Sequence, residues 1–388
     1  MLSTRKNGEA MVEIIPVSSR KEQREFLQFP LRLYRGNPCF VPPLYREEKM
    51  IFSEKYVYYK TCESACFLAR RNGVTVGRIS AILQKASNEK RGERRIRFTR
   101  FDAINDQEVA NALFSAVEEY AREKGMDTVC GPLGFSDLER EGLLVEGFDE
   151  LSTFEEQYNA EYYGTLIENC GYAKEVDWVE SRIYAPPPEE AEKMQKTAAF
   201  VLKRYNLRIG EAKNINDFLR RYGEGFFALL DEAYEGLYGT VPFTDEMRKM
   251  LVENFRLIAN PRHVAAVLDE HDRVVCLGVC FPSLAKALQP SMGRLTPAAL
   301  VRVLRAIRHP QILDLGLIAV APSYQNRGIS AVIMAELSRM LREDGVKYAE
   351  TNLNLEDNFS VRNQWKRFAS VEHKRRRSYV KKLEETPV

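Results

Sequence analysis

Apolar residues recur in two rhythms along this chain: alternate positions over short runs, and three- to four-residue spacings over longer ones. These are the signatures of strands and of amphipathic helices. Residues 12–17 read as a strand, 20–34 as a helix, and 37–44, with Pro38, Pro42 and Pro43, as a turn. Strands are predicted at 65–71, 75–83 and 96–103, the first two joined through Asn72-Gly73. Val109, Leu113, Val117 and Tyr120 form one stripe, which predicts a helix over 107–124 with Gly125 closing it. A strand at 128–133, a helix at 160–170 and a strand at 177–184 complete the series.

Pro186, Pro187 and Pro188 exclude continuation of helix or strand and place a boundary between domains 1–185 and 186–388. Beyond it the rhythm resumes, with a strand at 207–211, helices at 215–235 and 245–258, and strands at 263–268 and 274–281. After an insertion at 281–311 come a strand at 312–320, a helix at 327–344, a strand at 347–354, a helix at 358–368 and a strand at 373–383. Aligning Gly125 with Gly345 superposes Leu113 on Ile333, Val117 on Leu337 and Arg122-Glu123 on Arg342-Glu343. The chain therefore reads as an α/β (α+β) protein, a tandem repeat of one fold in which a central mixed, mostly antiparallel sheet is flanked by helices.

The bulk numbers narrow the function classes. A length of 388 residues fits two domains. The net charge of +2 offers no field for nucleic acid, although 91–100 and 374–377 are locally basic. The apolar runs 274–281 and 312–321 fall short of a membrane span, and the first residues lack the apolar core of a leader, so a cytoplasmic location is expected. Seven cysteines in mostly apolar settings read as reduced thiols, and with four histidines no metal site is expected.

The chemistry concentrates after residue 312. A buried strand enters a helix through Gln325-Asn326-Arg327-Gly328-Ile329-Ser330. The N–H groups at such a helix start lack intrahelical partners, and the helix dipole adds positive charge, so a pyrophosphate suits the site. Glycine at 328 lets phosphate oxygens approach the main chain. On the following strand, period two puts Glu350, Asn352, Asn354 and Glu356 on one face. A solvent-facing polar stripe has the same pattern.

Gln325-x-x-Gly328-x-Ser330 after a strand resembles the pyrophosphate loop of the GNAT N-acyltransferase superfamily, with Ser330 in place of the usual final glycine or alanine. Further stretches resemble the bacterial ceramide synthase-like branch of tandem GNAT proteins: Phe40-Val41-Pro42-Pro43-Leu44, Val76-Gly77-Arg78-Ile79, Gly131-Pro132, Glu141-Gly142-Leu143-Leu144-Val145, Tyr162-Tyr163 and Leu355-Glu356-Asp357-Asn358. The resemblance implies two GNAT-like domains and transfer of an acyl group from acetyl-CoA or a longer acyl-CoA to a primary amine, including a lipid-like amino alcohol. It implies cofactor contacts at Ile318, Val320, Gln325, Asn326, Arg327, Gly328, Ile329, Ser330 and Asn358. The first half has Asn105-Asp106-Gln107-Glu108 where the loop would be, with Glu108 at the glycine position, and is expected not to hold CoA in this way.

An alkyl amine with a pKa of about 10.4 costs roughly 4 to 5 kcal/mol to deprotonate at pH 7. Glu350 is the expected base or water-positioner and Asn352 an orienting group. The position where the family often has a general-acid tyrosine is Trp365, which leaves Tyr379 as the candidate acid. The run 374–377 reads as neutralising CoA phosphates or as a charged edge strand. In the insertion, Leu300, Val303, Leu304 and Ile307 lie opposite Arg302, Arg305 and Arg308, a pattern suited to an acyl chain, an acidic carrier protein, an anionic membrane or plain packing. A degenerate acyl-CoA sensor and a CoA-independent aminoacyl transferase are the alternatives to an acyltransferase.

Overall fold

A computed structural model describes residues 11–343 and 345–384. The extreme N-terminal stretch read for a leader and Asp344, the expected last residue of its helix, lie outside them. The chain divides into two compact units, one of Met1–Asp177, Leu288–Arg294 and Arg375–Val388, the other of Trp178–Ala287 and Leu295–Lys374.

In the first unit, β1 (Glu13–Pro16) leads into α1 (Arg20–Leu33), whose start is fixed by a reciprocal Ser19 and Glu22 capping box. Strands β2 (Cys62–Arg71), β3 (Val74–Gln84) and β4 (Arg95–Ala103) form an antiparallel meander behind β1. Helix α2 (Gln107–Glu123) then crosses over to β5 (Thr128–Gly131), which pairs parallel to β4. Next come β6 (Leu143–Glu146) and α3 (Tyr163–Asn169). Valines and leucines of the α2 stripe, Val109, Leu113 and Val117, are fully buried in a core shared with Phe98, Phe101 and Phe114.

The second unit takes over within β7 (Ala173–Tyr184). Helix α4 (Pro188–Arg204) follows, starting within the proline run that marks the expected boundary. Pro188 sits in its first turn, the one helical position where a missing N–H and a fixed φ do no harm. Then come β8 (Arg208–Ile209), α5 (Ile215–Tyr234), α6 (Asp245–Ile258), β9 (Val264–Leu268), β10 (Val274–Pro282), α7 (Pro297–Arg308) and β11 (Ile312–Val320). Helix α8 (Ser330–Glu343) crosses over to β12 (Tyr348–Thr351), which pairs parallel to β11, while β8 to β11 are antiparallel. Strand β7 takes β12 as an antiparallel partner through Ile183↔Ala349 and Arg182↔Glu350, and the short β13 (Asn354–Leu355) pairs with it at Val179 and Trp178. The expected helix at 358–368 is two short pieces, Phe359–Arg362 and a 3-10 turn Trp365–Arg367, before the last strand, β14 (Ala369–Lys382).

The meander, crossover helix and parallel strand are thus repeated, and Gly125 and Gly345 end their helices with φ of 70° and 66°. The units are not separated by a single cut between 185 and 186. Backbone pairing decides membership: Tyr379, Val380, Lys381 and Lys382 pair with β5, so the chain's end belongs to the first unit. The same pairing corrects the edge-strand expectation for 374–377, since Arg376 and Arg377 are paired to β6. Nor are these cations free for phosphates: Lys374 and Arg376 are buried against carboxylates, and Arg377 is fixed on Asp177.

Candidate active site

The site begins with a defect in a ladder. The parallel β11–β12 pairing runs from Ile312↔Tyr348 to Leu315↔Thr351 and stops, although β11 continues to Val320. Beyond Leu315 the strand keeps its partner on the β10 side, and residues 316–320, half-buried except for the buried Ala319, have no ladder partner on the β12 side. A bulge marks the opening, because Val279 pairs with Leu317 and Cys280 with Leu315, which leaves Gly316 unmatched. A Cβ on Gly316 would lie 2.5 Å from the Phe281 ring. Gly316→Ala should therefore destabilise the second unit by about 1 to 3 kcal/mol, read as a lowered thermal midpoint.

From Val320 the chain turns through Pro322–Tyr324 into residues 325–330. Asn326 and Gly328 adopt left-handed φ of 59° and 74° ahead of the 14-residue helix α8, the kind of turn that forms anion-binding nests of backbone N–H groups. Asn326, Arg327, Gly328 and Ile329 have no backbone N–H partner among the described residues. Open space lies where a Gly328 Cβ would be, and Gln325, Asn326 and Arg327 are exposed. Arg327 stacks over Tyr324 at 5.3 Å. This is a cradle for an anion, with a helix dipole behind it. Of the strand residues, Ile318 and Val320 line the open edge half-buried, and the Ile318 carbonyl accepts a hydrogen bond from the Tyr234 hydroxyl at 3.1 Å.

The first unit has the same opening and fills it. Its parallel ladder ends at Arg97↔Cys130 while β4 continues to Ala103. There the Tyr163 hydroxyl accepts from the Ala103 N–H at 2.9 Å and the Tyr162 hydroxyl donates to the Ala103 carbonyl at 2.7 Å. The start of α2 is occupied by Asp106, whose carboxylate accepts from the N–H groups of Glu108 and Val109, and Arg71 pairs with both Asp106 and Glu108. A phosphate would meet carboxylates at the place where the second unit offers bare N–H groups.

Beside the opening of the second unit lies a buried charged cluster. Glu350 pairs across β12 with Asp314 on one side and Arg182 on the other. Its Oε1 is 2.9 Å from His373 Nε2 and 2.6 Å from Lys374 Nζ, and Lys374 reaches Glu180 Oε2 at 2.7 Å. Burial pushes the Glu350 carboxyl up, but Lys374 and the His373 hydrogen bond outweigh it and hold the group below its usual 4.5. Glu350 is therefore a fixed anion. The His373 side chain is only 4% exposed, and its Nδ1 is buried without a hydrogen-bond partner. With Nε2 on Glu350, Nδ1 is the ring nitrogen that no protein group contacts.

His373 was not legible as a site residue, because it stands between Glu372 and a run of cations. Asn352 lies at the mouth of the opening, where its N–H donates to the Leu315 carbonyl at 3.2 Å and its Oδ1 accepts from Leu353 N–H. Asn354 accepts from Trp365 Nε1 at 2.9 Å, so the indole is a buried structural donor. Asn358 caps the short helix behind it through Val361 N–H. Tyr379 lies on β14 in the first unit, where its hydroxyl donates to Glu168 at 3.3 Å, and burial together with Glu168 pushes its pKa up to about 12.

All seven cysteines are free thiols, and burial pushes those of Cys130 and Cys280 up to about 11 and about 12. A surface cavity of about 650 Å³ at the start of α5, lined by Lys213, Asn214 and Arg256 among others, includes none of the candidate residues. No helix among the described residues is long and apolar enough to cross a membrane.

No family model matches the chain. Its sequence is 29% identical over 302 residues to the bacterial ceramide synthase of Caulobacter vibrioides, covering 76% of each chain. It is 25% identical over 376 residues to Protein YghO of Escherichia coli, covering 94% of each. Among solved structures, the tandem GNAT protein from the clavulanic acid biosynthesis pathway matches at a TM-score of 0.55 and 10% identity, over 97% of this chain and 100% of that one. The GCN5-related glucosamine N-acetyltransferase region of a fungal multi-domain GH3 beta-N-acetylglucosaminidase matches at 0.54 and 11% identity, over 96% of this chain and 38% of that one.

Proposed function

Because this chain has the tandem GNAT fold, which supports acyl or acetyl transfer, we propose that it moves an acyl group from acyl-CoA to a primary amine in the cytoplasm. One observation carries the reading: a cradle of bare N–H groups stands beside an open strand edge in the second unit, while the repeat of both features in the first is plugged by Asp106, Tyr162 and Tyr163.

On this reading the pyrophosphate of acyl-CoA is gripped by the N–H groups of 326–329 with Gln325, Arg327 and Ser330 around it, and 316–320 flank the pantetheine arm. Acyl-CoA supplies the acyl carbon and a thiolate leaving group. His373 Nδ1 accepts the proton of the attacking amine, and Glu350, held anionic by Lys374, stabilises the imidazolium that results. Glu350 thus orients the base, and Asn352 lines the approach. The likeness to a protein named bacterial ceramide synthase supports a long-chain amino alcohol as acceptor.

A sensing role is the second reading, favoured by Trp365 at the usual tyrosine position and by the Tyr234 hydroxyl on Ile318. Incubation with acyl-CoAs of graded chain length and a panel of primary amines separates the two. Thiol release together with an amide product by mass spectrometry is expected. Acyl-CoA binding with no amide from any amine would leave the sensing role in its place.

A further inference from the structure

Helix α7 presents the wrong face to water for a helix that only packs. The sequence pattern sets Leu300, Val303, Leu304 and Ile307 against three arginines, but the buried positions are Ala299 and Val303. Leu300, Val301 and Leu304 are 48%, 67% and 44% exposed. At about 100° per residue they share the outer surface with Pro297, Ala298, Arg305 and Arg308. Arg302 is turned inward, its Nε donating to the Ala287 carbonyl at 3.1 Å. The outer face therefore holds aliphatic side chains, two arginines and no acid.

The surroundings keep that bias. From Val274 to Leu313 the chain has no aspartate or glutamate, although it has 55 acids among its 388 residues, and the stretch contains Lys286, Arg294, Arg302, Arg305 and Arg308. Ordinary surface helices alternate both signs of charge for solubility. An aliphatic strip with arginines at its C-terminal end, anchored by its opposite face to a folded unit, suits the boundary between head groups and acyl chains: the aliphatic side chains enter the apolar layer and the long arginine stems reach back to phosphates. An acidic protein partner would meet the arginines as well, but three adjacent exposed aliphatics and the absence of any polar uncharged side chain on that face favour a lipid surface.

We infer that Leu300, Val301, Leu304, Arg305 and Arg308 of α7 form a docking surface for an anionic phospholipid bilayer. The inference stands apart from the acyl-transfer reading, since it concerns binding without chemistry.

The test is co-sedimentation of the full chain with vesicles of phosphatidylcholine alone and with added phosphatidylglycerol. Binding to the anionic vesicles is expected, weakened by salt. Arg305→Gln with Arg308→Gln should lower the partition by about 25-fold, roughly fivefold per arginine, and Leu300→Gln with Leu304→Gln should abolish it. Both pairs change exposed side chains, so an unchanged thermal midpoint verifies that they fold. Equal binding to neutral and anionic vesicles, no sedimentation with either, or variants that sediment like the wild type would overturn the inference. So would a wild-type dimer in solution that Leu300→Gln with Leu304→Gln converts to monomer, since a second copy would then be the occupant.

Discussion

His373→Asn is expected to lower the rate of amide formation by roughly 10² to 10⁴, the range ascribed to a positioned general base, while acyl-CoA binds as in the wild type. The expectation rests on two facts: Nε2 lies 2.9 Å from a carboxylate, and Nδ1 is buried without a partner. In such a ring Nδ1 is the one nitrogen that no protein group occupies. Unchanged acyl-CoA affinity and thermal midpoint together with a lost rate separate this role from a structural one. Glu350→Gln retains an acceptor oxygen and removes the charge that stabilises the imidazolium, so a smaller rate loss is expected with the ring still oriented. A His373→Asn protein that binds acyl-CoA and turns over at the wild-type rate would contradict the assignment.

Lys374→Met should show the largest effect on stability. Its Nζ is fully buried between Glu180 at 2.7 Å and Glu350 at 2.6 Å. Removing it deprives two buried carboxylates of their shared cation, a change that typically costs about 3 to 5 kcal/mol. A fall in the thermal midpoint well beyond that of Gly316→Ala is the expected reading. The pH dependence should also change slope. In the wild type Glu350 titrates below its usual 4.5, so its contribution is complete above that value and is lost as the pH falls through the lowered one. In the variant burial dominates and raises the carboxyl, so stability should decline as the pH rises past about 4.5. A wild-type midpoint and slope in Lys374→Met would show that the cluster is not held by this cation.

Much of the repeat was legible because its elements obey local rules. The α2 stripe, the glycine ends and the passage from strand through Gln325-Asn326-Arg327-Gly328 into α8 are set by residues a few positions apart. What escaped the reading depends on partners distant in sequence. Helix α4 was hidden by prolines that look like a break but sit where a helix tolerates them. The basic run of β14 looked like a solvated edge, yet Lys374 and Arg376 are buried because Glu180, Glu350 and Glu156, all from other segments, come to meet them. Tyr379 is paired with Gly131 of β5, a partner far away in the sequence. The contact of His373 with Glu350 joins β14 to β12, two strands with β7 between them, and no local pattern around residue 373 reveals it.

The most direct test of the central claim is calorimetric titration of CoA and of an acyl-CoA into the wild-type chain and into Gly328→Glu. Residue 328 is exposed with open space at its Cβ position, so the substitution places a carboxylate against the cradle without displacing a neighbour, and Gly328→Ala controls for the left-handed φ of 74°. Tight binding by the wild type, a modest change for Gly328→Ala and a loss of about a hundredfold or more for Gly328→Glu are predicted. Failure of the wild type to bind either ligand, or equal binding by Gly328→Glu, would contradict a pyrophosphate site at 325–330 and with it the acyl-CoA assignment.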